Sequence, residues 1–482
     1  MPFDCHLSAP QVACFANDND AFIPERWAQE GLALLSENMV MANLVHRDFE
    51  SEVRQFGDVV NTRRPGTFQI RRKVDGVSVS QQDAVATNVR VPLDQWFYQS
   101  YTIKDGEASK SFQELIQVYL LPAIQTMGRG VDRALLGRGA QAFLAAGQDG
   151  VTAVPTKRVG HLRGLTSSNA KDTVLEAREI LNVNKAYVDG RNLVLSPSSE
   201  TALLKTELFI AANQRGDGGN ALENARLGRI LGFDCYMDQN VNAILPTGAD
   251  IASGTVTNAL AADGSGSQVC SVVGYAANVG EYATVAGNDQ PATITAATVA
   301  ADTTAVTLNE ANKYATGAGA VIVVYKKCDV AADYAAGYSQ AVLVDGWTAG
   351  KAPQVGQLIS FGTGPNRHTY TIIESYLSSA GVQALYLDRP LDAAVANNAL
   401  AFPGPAGSFN LAFHRDALAL VSRPLALPNQ SMGVNAGVVA DNGLAMRVTM
   451  QYDIQAQGTV VNLDVLAGVA VLDKNLAVVM LG

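Results

Sequence analysis

The closing residues of the chain allow the least conformational freedom. Leu444, Met446, Val448, Met450 and Tyr452 alternate with Ala445, Arg447, Thr449, Gln451 and Asp453, and after a Gln457-Gly458 turn Val461, Leu463 and Val465 alternate with Asn462 and Asp464. Successive side chains of a strand point to opposite faces, so this period of two specifies an antiparallel pair with one dry and one wet face. A lone hairpin is only marginally stable in water, so the dry face demands an apolar partner elsewhere in the chain. The last strand, LAVVM, should be tied into that ordered sheet rather than frayed.

Residues 111 to 144 supply such a partner. Ser111-Phe-Gln-Glu114 is a capping-box pattern, in which the serine hydroxyl and the glutamate each satisfy a free backbone donor. Phe112, Leu115, Ile116, Tyr119 and Leu120 then fall on one helical face, and Ile124, Met127, Val131 and Leu135 carry the stripe past Pro122. Pro122 removes one backbone hydrogen bond and should kink the helix rather than end it. A helix running to Leu144 would be roughly 50 Å long, enough for a spine. Upstream, residues 24 to 56 carry Leu32, Leu35, Met39 and Leu44 at helical spacing, which reads as one or two amphipathic helices forming an arm.

Between arm and spine the pattern changes to a ribbon. Val77 and Val79, then Val89, Val91 and Leu93, alternate with polar residues, with turn signals at Arg64-Pro65-Gly66 and Asp75-Gly76. The ribbon concentrates Arg63, Arg64, Arg71, Arg72 and Lys73 in a chain of net charge −10 and isoelectric point near 5.1. Non-specific nucleic-acid affinity needs a net positive surface, and only Phe68 interleaves these charges, so a nucleic-acid grip is the weaker reading. Positive charge on a projecting ribbon of an acidic molecule is complementary to other copies of that molecule, which points to contacts between subunits.

Residues 168 to 241 alternate in the manner of an α/β unit: helix SNAKDTVLEAREILNV, strand RNLVLS, a helix started by Ser196-Pro197, then strand RILGFDCYMD. From Pro246 to Pro405 charge thins, and short runs such as ATITAATV, AVIVVYKK, HTYTIIESY and ALYLDRP are separated by Gly, Asn and Asp turns. That texture reads as a sandwich or barrel inserted into the α/β part.

Chemistry leaves little trace. The five cysteines, Cys5, Cys14, Cys235, Cys270 and Cys328, lack zinc-like spacing and fit reduced thiols. None of His6, His46, His161, His368 and His414 pairs with another ligand at helical spacing. Arg215-Gly-Asp-Gly-Gly219 lacks the phosphate-loop frame, and no hydrolase, metalloprotease or dinucleotide signature occurs in a suitable context. The expectations are therefore no enzyme, no catalytic residue, no metal and no cofactor. No secretion signal or membrane-length apolar run is visible, which leads to folding in a host cytoplasm and no membrane partner.

Three segments carry a resemblance: NLVHRDFESEVRQFGDVVNTRRPGTFQIRRK at the arm and ribbon, FNLAFHRDALALVSRPL, and LAMRVTMQYDIQAQGTVVNLDVLAGVAVLD. With the order of parts, they resemble the major capsid protein fold of tailed phages, of the Hong Kong ninety-seven type. The likeness is closest to the coat proteins of short-tailed phages of the P-twenty-two kind. Residues 355 to 391 look like that family's small insertion barrel. The resemblance implies an α+β fold divided into an N-terminal arm (1–56), an extended hairpin loop (57–107), a peripheral-domain spine helix (108–150) and the first part of an apical domain (151–245). An inserted barrel-like domain (246–405), an apical return (406–440) and a peripheral sheet (441–482) complete it.

It also implies self-assembly as hexamers and pentamers into an icosahedral shell. The partners would be a scaffolding protein and a portal, and the double-stranded DNA would be enclosed but not specifically bound. Assembly would occur in the host cytoplasm through a procapsid that expands, and the product would reside in the virion. Other readings are a nanocompartment shell of the same fold and a β-rich carbohydrate-binding surface protein.

Overall fold

The computed structural model describes residues 28–47 (apart from 30, 34 and 36–38), 59–64, 70, 72, 73, 75, 78, 87–105, 120–144, 158–160, 165–206, 225–244 (apart from 226 and 242), 250–255, 268–273, 282–285, 292–300, 303–308, 318–325, 328–347, 352–361, 368–403 (apart from 380 and 400), 407–428, 434–441 and 444–482 (apart from 456).

The alternating C-terminal text builds a five-stranded antiparallel sheet from β3 (Gln95–Lys104), β22 (Leu418–Arg423), β23 (Asn435–Asp441), β24 (Leu444–Asp453) and β25 (Gly458–Val471). The long β25 is the centre. Its first half pairs with β24 from Gly458↔Asp453 to Asp464↔Arg447, its second half with β22, and β3 runs along its other edge from Gly458↔Lys104 to Ala467↔Gln95. The dry face is the one expected: Leu444, Met446, Val448, Met450, Val461, Leu463 and Val465 are all buried.

Their partner is helix α2 (Leu121–Leu144), whose Ile124, Met127, Val131 and Leu135 join the same cluster, together with Leu32, Leu35 and Met39 of the arm. Burying each such side chain is worth roughly 1.5–3 kcal/mol, so this junction is the main core of the molecule. The capping box at Ser111 lies outside the described residues. Pro122 is the second residue of the described helix, so the kink expected there falls at its margin.

Three residues of the C-terminal hairpin depart from the pattern; one is Ala445, on the polar phase yet 3% exposed. Tyr452, on the apolar phase, is 50% exposed at the far end of β24, where its hydroxyl donates to Asp105. Asp464, on the polar phase, is 1% exposed because Arg447 grips it through Nε and Nη2 (3.1 and 2.8 Å) and Trp96 donates Nε1 at 3.2 Å.

A second, seven-stranded sheet holds the α/β part. It runs β4 (Arg158–Gly160), β26 (Ala477–Leu481), β21 (Gly407–His414), β5 (Arg191–Leu195), β7 (Phe233–Met237), β6 (Arg229–Ile230), with β8 (Ala243–Ile244) on β21. Helix α3 (Ala170–Val183) packs Val174, Ala177 and Leu181 onto it. Helix α4 (Pro197–Leu204) starts as expected, with Ser196 Oγ accepting from the Ser199 N–H at 3.2 Å. The final strand LAVVM is tied down, but here, between β21 and β4, and not in the sheet that precedes it in sequence. The strand expected over RILGFDCYMD is instead a tight hairpin. Leu231 and Gly232 have φ of 49° and 88°, a turn that folds β6 back on β7.

Within residues 246–405 the structure contains two six-stranded sheets, each with its own buried cluster. The first comprises β9 (Asp250–Thr255), β10 (Gln268–Val273), β11 (Tyr282–Val285), β12 (Ala292–Ala300), β13 (Thr303–Leu308) and β14 (Val321–Tyr325). The second comprises β15 (Asp329–Val330), β16 (Val342–Asp345), β17 (Leu358–Phe361), β18 (His368–Ser379), β19 (Val382–Leu387) and β20 (Ala401–Pro403). The second sheet closes into a barrel. Its two edges exchange backbone bonds, Ala401 N–H to Cys328 O at 3.0 Å, Val330 N–H to Ala399 O at 3.0 Å and Asn398 N–H to Val330 O at 2.8 Å. Closure removes free strand edges and so suppresses unwanted pairing.

Candidate assembly interface

The ribbon is strand β1 (Val59–Arg64) paired antiparallel with β2 (Thr87–Pro92), in register from Val59↔Pro92 to Arg64↔Thr87. Among the described residues no third strand joins it. It is anchored at its foot, where Val91 is buried with Ala419, Val421 and Ala470. There the Pro92 carbonyl also lies so close over Gly468 that no Cβ would fit. Arg63 and Arg64 share β1, opposite Asn88 and Thr87. Arg72 and Lys73 are exposed outside any strand, beside Ile70, which is 102% exposed. Arg71 lies outside the described residues. Of the predicted charges, the backbone positions of Arg63 and Arg64 thus fall at the end of the ribbon away from its foot, and Arg72 and Lys73 lie beyond it.

The arm is held to the spine by a carboxylate that sequence spacing did not reveal. Asp132 of α2 is wholly buried; its Oδ2 accepts from the Val40 N–H at 2.9 Å and its Oδ1 from the Ala42 N–H at 3.2 Å. It thereby caps the short helix α1 (Met41–Leu44), which has no side-chain cap of its own. Burial first, and the nearby Asp238 second, push the Asp132 carboxyl up to about 8, against the pull of the backbone donors. Further along the arm, His46 exchanges backbone bonds with β22, donating to Leu418 O and accepting from the Leu420 N–H.

The barrel is fixed to the same spine by packing and charge. Gly137 of α2 sits against Thr371 of β18 so closely that a Cβ would overlap the threonine hydroxyl. Beside it, Arg389 is 4% exposed and donates to Asp388 at 3.0 Å, to Asp392 at 3.0 and 3.2 Å and to the Thr369 carbonyl at 2.8 Å, with its guanidinium 4.3 Å from the Tyr370 ring. Asp388 accepts from the Thr371 N–H at 2.8 Å. Arg138 of the spine reaches Asp392 at 3.9 Å, and burial followed by the Arg389 charge lowers its affinity for its proton. Burial also raises the Tyr370 phenol to about 12. The run LDRPLD, which overlaps the quoted ALYLDRP and extends it by two residues, supplies Asp388, Arg389 and Asp392, and a sequence-level signal for them was the pair of aspartates bracketing one arginine. The arrangement binds elements to one another rather than poising a reactive group. Among the described residues no three ligating side chains cluster around a cation site, and no helix is long and apolar enough to cross a membrane.

No family model matches the chain, and no curated protein matches it. Among solved structures it is similar to one from Mycobacterium phage Che8, at 12% identity over 92% of this chain and 90% of that one, with a TM-score of 0.41. It is similar to the capsid structure of the cyanophage P-SCSP1u, at 10% identity over 88% and 84% with a TM-score of 0.41. It is also similar to the asymmetric unit of the bacteriophage PhiM1 mature capsid, at 10% identity over 88% and 82% with a TM-score of 0.39.

Proposed function

We propose that this chain is the major capsid protein of a tailed double-stranded DNA phage, building an icosahedral shell of hexamers and pentamers through a scaffolded procapsid that expands. The carrying observation is the ribbon: two strands without a third among the described residues, anchored at the foot through Val91, with Ile70 fully exposed and Arg72 also exposed. An isolated two-stranded ribbon gains little stability in water, so covering it by another copy completes the fold. In this reading Arg63, Arg64, Arg71, Arg72 and Lys73 contact a neighbouring subunit. The sheet of β3 and β22–β25 with α2 is the peripheral domain, the α/β sheet is the apical domain, and the closed barrel is the insertion. The acidic remainder of the molecule encloses DNA without gripping it. Negative-stain electron microscopy of the purified protein tests the reading. Large closed shells support it, small shells would favour a nanocompartment, and dispersed particles at high concentration would sink it.

A further inference from the structure

The chain passes between its five-stranded and seven-stranded sheets through two 3₁₀ turns. Arg415–Ala417 joins β21 to β22, and Lys474–Leu476 lies between β25 and β26. The turns lie side by side, because β21 pairs with β26 on one flank and β22 with β25 on the other. Across them the Leu472 and Asp473 N–H groups donate to the Ala417 carbonyl at 2.9 and 3.4 Å. Changes of angle between rigid bodies are absorbed by a few residues at element ends, so these turns form the joint between the two sheets.

The arm lies on this joint. Beyond the backbone bonds of His46 to β22, its Nδ1 stands 3.2 Å from Asp416 Oδ1 in the first turn. On the other side, His414 Nδ1 is 3.6 Å from Asp416 Oδ2. One carboxylate therefore stands between an imidazole of the arm and an imidazole of the seven-stranded sheet. The neutral rings play different parts. His414 Nδ1 accepts from the Asp416 N–H at 3.3 Å, which leaves its own proton on Nε2. His46 Nδ1 faces an oxygen that only accepts, so there it carries the proton and donates. Acid acts on both rings in one direction. A protonated His46 keeps its bond and makes it charge-assisted. A protonated His414 gives up the N–H, which water can take over because the Asp416 side chain is 48% exposed, and gains the second carboxylate oxygen.

We infer that His46 and Asp416 form an acid-strengthened clasp, by which the arm holds the joint between the two sheets. His414 is a positioning residue, capping the turn that presents the carboxylate. One short helix earlier the arm is fastened to the spine by Asp132, so the clasp ties spine, joint and both sheets together. It is a property of the single chain and does not depend on the shell reading. The other charged or titratable groups around it are Arg47 next to His46, Arg415 next to Asp416, Asp473 and Lys474 at the second turn, and Tyr187 and Arg191 beside His414. Arg191 is already committed to the Tyr187 and Ala186 carbonyls and to Asn182. These charges are of both signs, so variants and not a pH profile alone must assign the response.

Hydrogen exchange of the full-length protein, read by mass spectrometry at about pH 7.5 and about pH 5.5 and expressed as protection relative to the unstructured chain, spans the range in which imidazoles change charge. The His46 and Leu420 amides, which bond across the arm and β22, report the attachment. On acidification the protection of the segments that contain them should rise about threefold more in the wild type than in His46→Gln, the size expected of a solvent-accessible ion pair. Glutamine still donates a hydrogen bond but takes up no proton. Asp132 also favours the arm in acid, but it is present in both proteins and cancels. Asp416→Asn should abolish the same excess, and adding His46→Gln to it should remove nothing further. Both side chains are partly exposed, at 28% and 48%, so circular dichroism should be unchanged in each variant. An equal acid response in wild type and His46→Gln, or an excess that survives Asp416→Asn, overturns the clasp. Whether shells form has no bearing on either result.

Discussion

At the scale of single residues, the most consequential group is Asp132. Its two oxygens satisfy backbone donors at the start of α1, and without them those N–H groups would be buried unpaired. Asp132→Ala should therefore cost about 2–4 kcal/mol and release the arm, seen as faster proteolysis before residue 47. The pH dependence follows from the raised affinity for a proton. The folded carboxyl, near 8, holds a proton that the unfolded one, near 3.8, has lost. Its contribution is complete below the unfolded value and declines as pH rises towards about 8. Denaturant midpoints measured from pH 5 to 8 should fall for the wild type and fall less for Asp132→Asn, which cannot ionise. An equal slope in both would show that Asp132 does not titrate in that window. The sequence offered no sign of this role, because an aspartate among Arg129, Gly130, Val131 and Arg133 reads as an exposed helix position. Only the arm folding across the helix turns it into a cap.

At the scale of elements, the crossing of α2 and β18 decides how the barrel sits. The hydrophobic stripe of α2 was legible from Ile124 to Leu135, since helical spacing is a local property. Gly137 was not, because a glycine in a helix looks merely unfavourable until the strand that approaches it is known. Gly137→Ala should gain helix propensity yet lose about 1–3 kcal/mol overall, as overpacking against Thr371 forces the two elements apart. Thr371→Ala in the same chain should recover part of that loss in thermal unfolding. If Gly137→Ala raises the melting temperature, the crossing is looser than described. The tight hairpin at Leu231-Gly232 has the same lesson in reverse. Apolar runs on both sides suggested one strand, and a single left-handed leucine with its glycine broke it into two.

At the scale of the whole molecule, the prediction concerns assembly. Replacing Arg63, Arg64, Arg71 and Arg72 together with alanine should leave a soluble chain with the same unfolding midpoint, because Arg63 and Arg64 lie at the ribbon end farthest from its buried foot and Arg72 is exposed. Its sedimentation profile should shift from shells to small species; normal shells would refute the subunit contact.

The sequence by itself determined the alternating C-terminal hairpin, the apolar face of the spine, the Ser196 cap and the basic ribbon, because each depends on spacing within a few residues. The tertiary structure alone decided that LAVVM joins β21 in the α/β sheet, that residues 328–401 close into a barrel, and that Asp132, Gly137 and Trp96 meet partners hundreds of residues away or in another element. Such pairings depend on which surfaces the chain brings together, and no local periodicity encodes the identity of a distant partner.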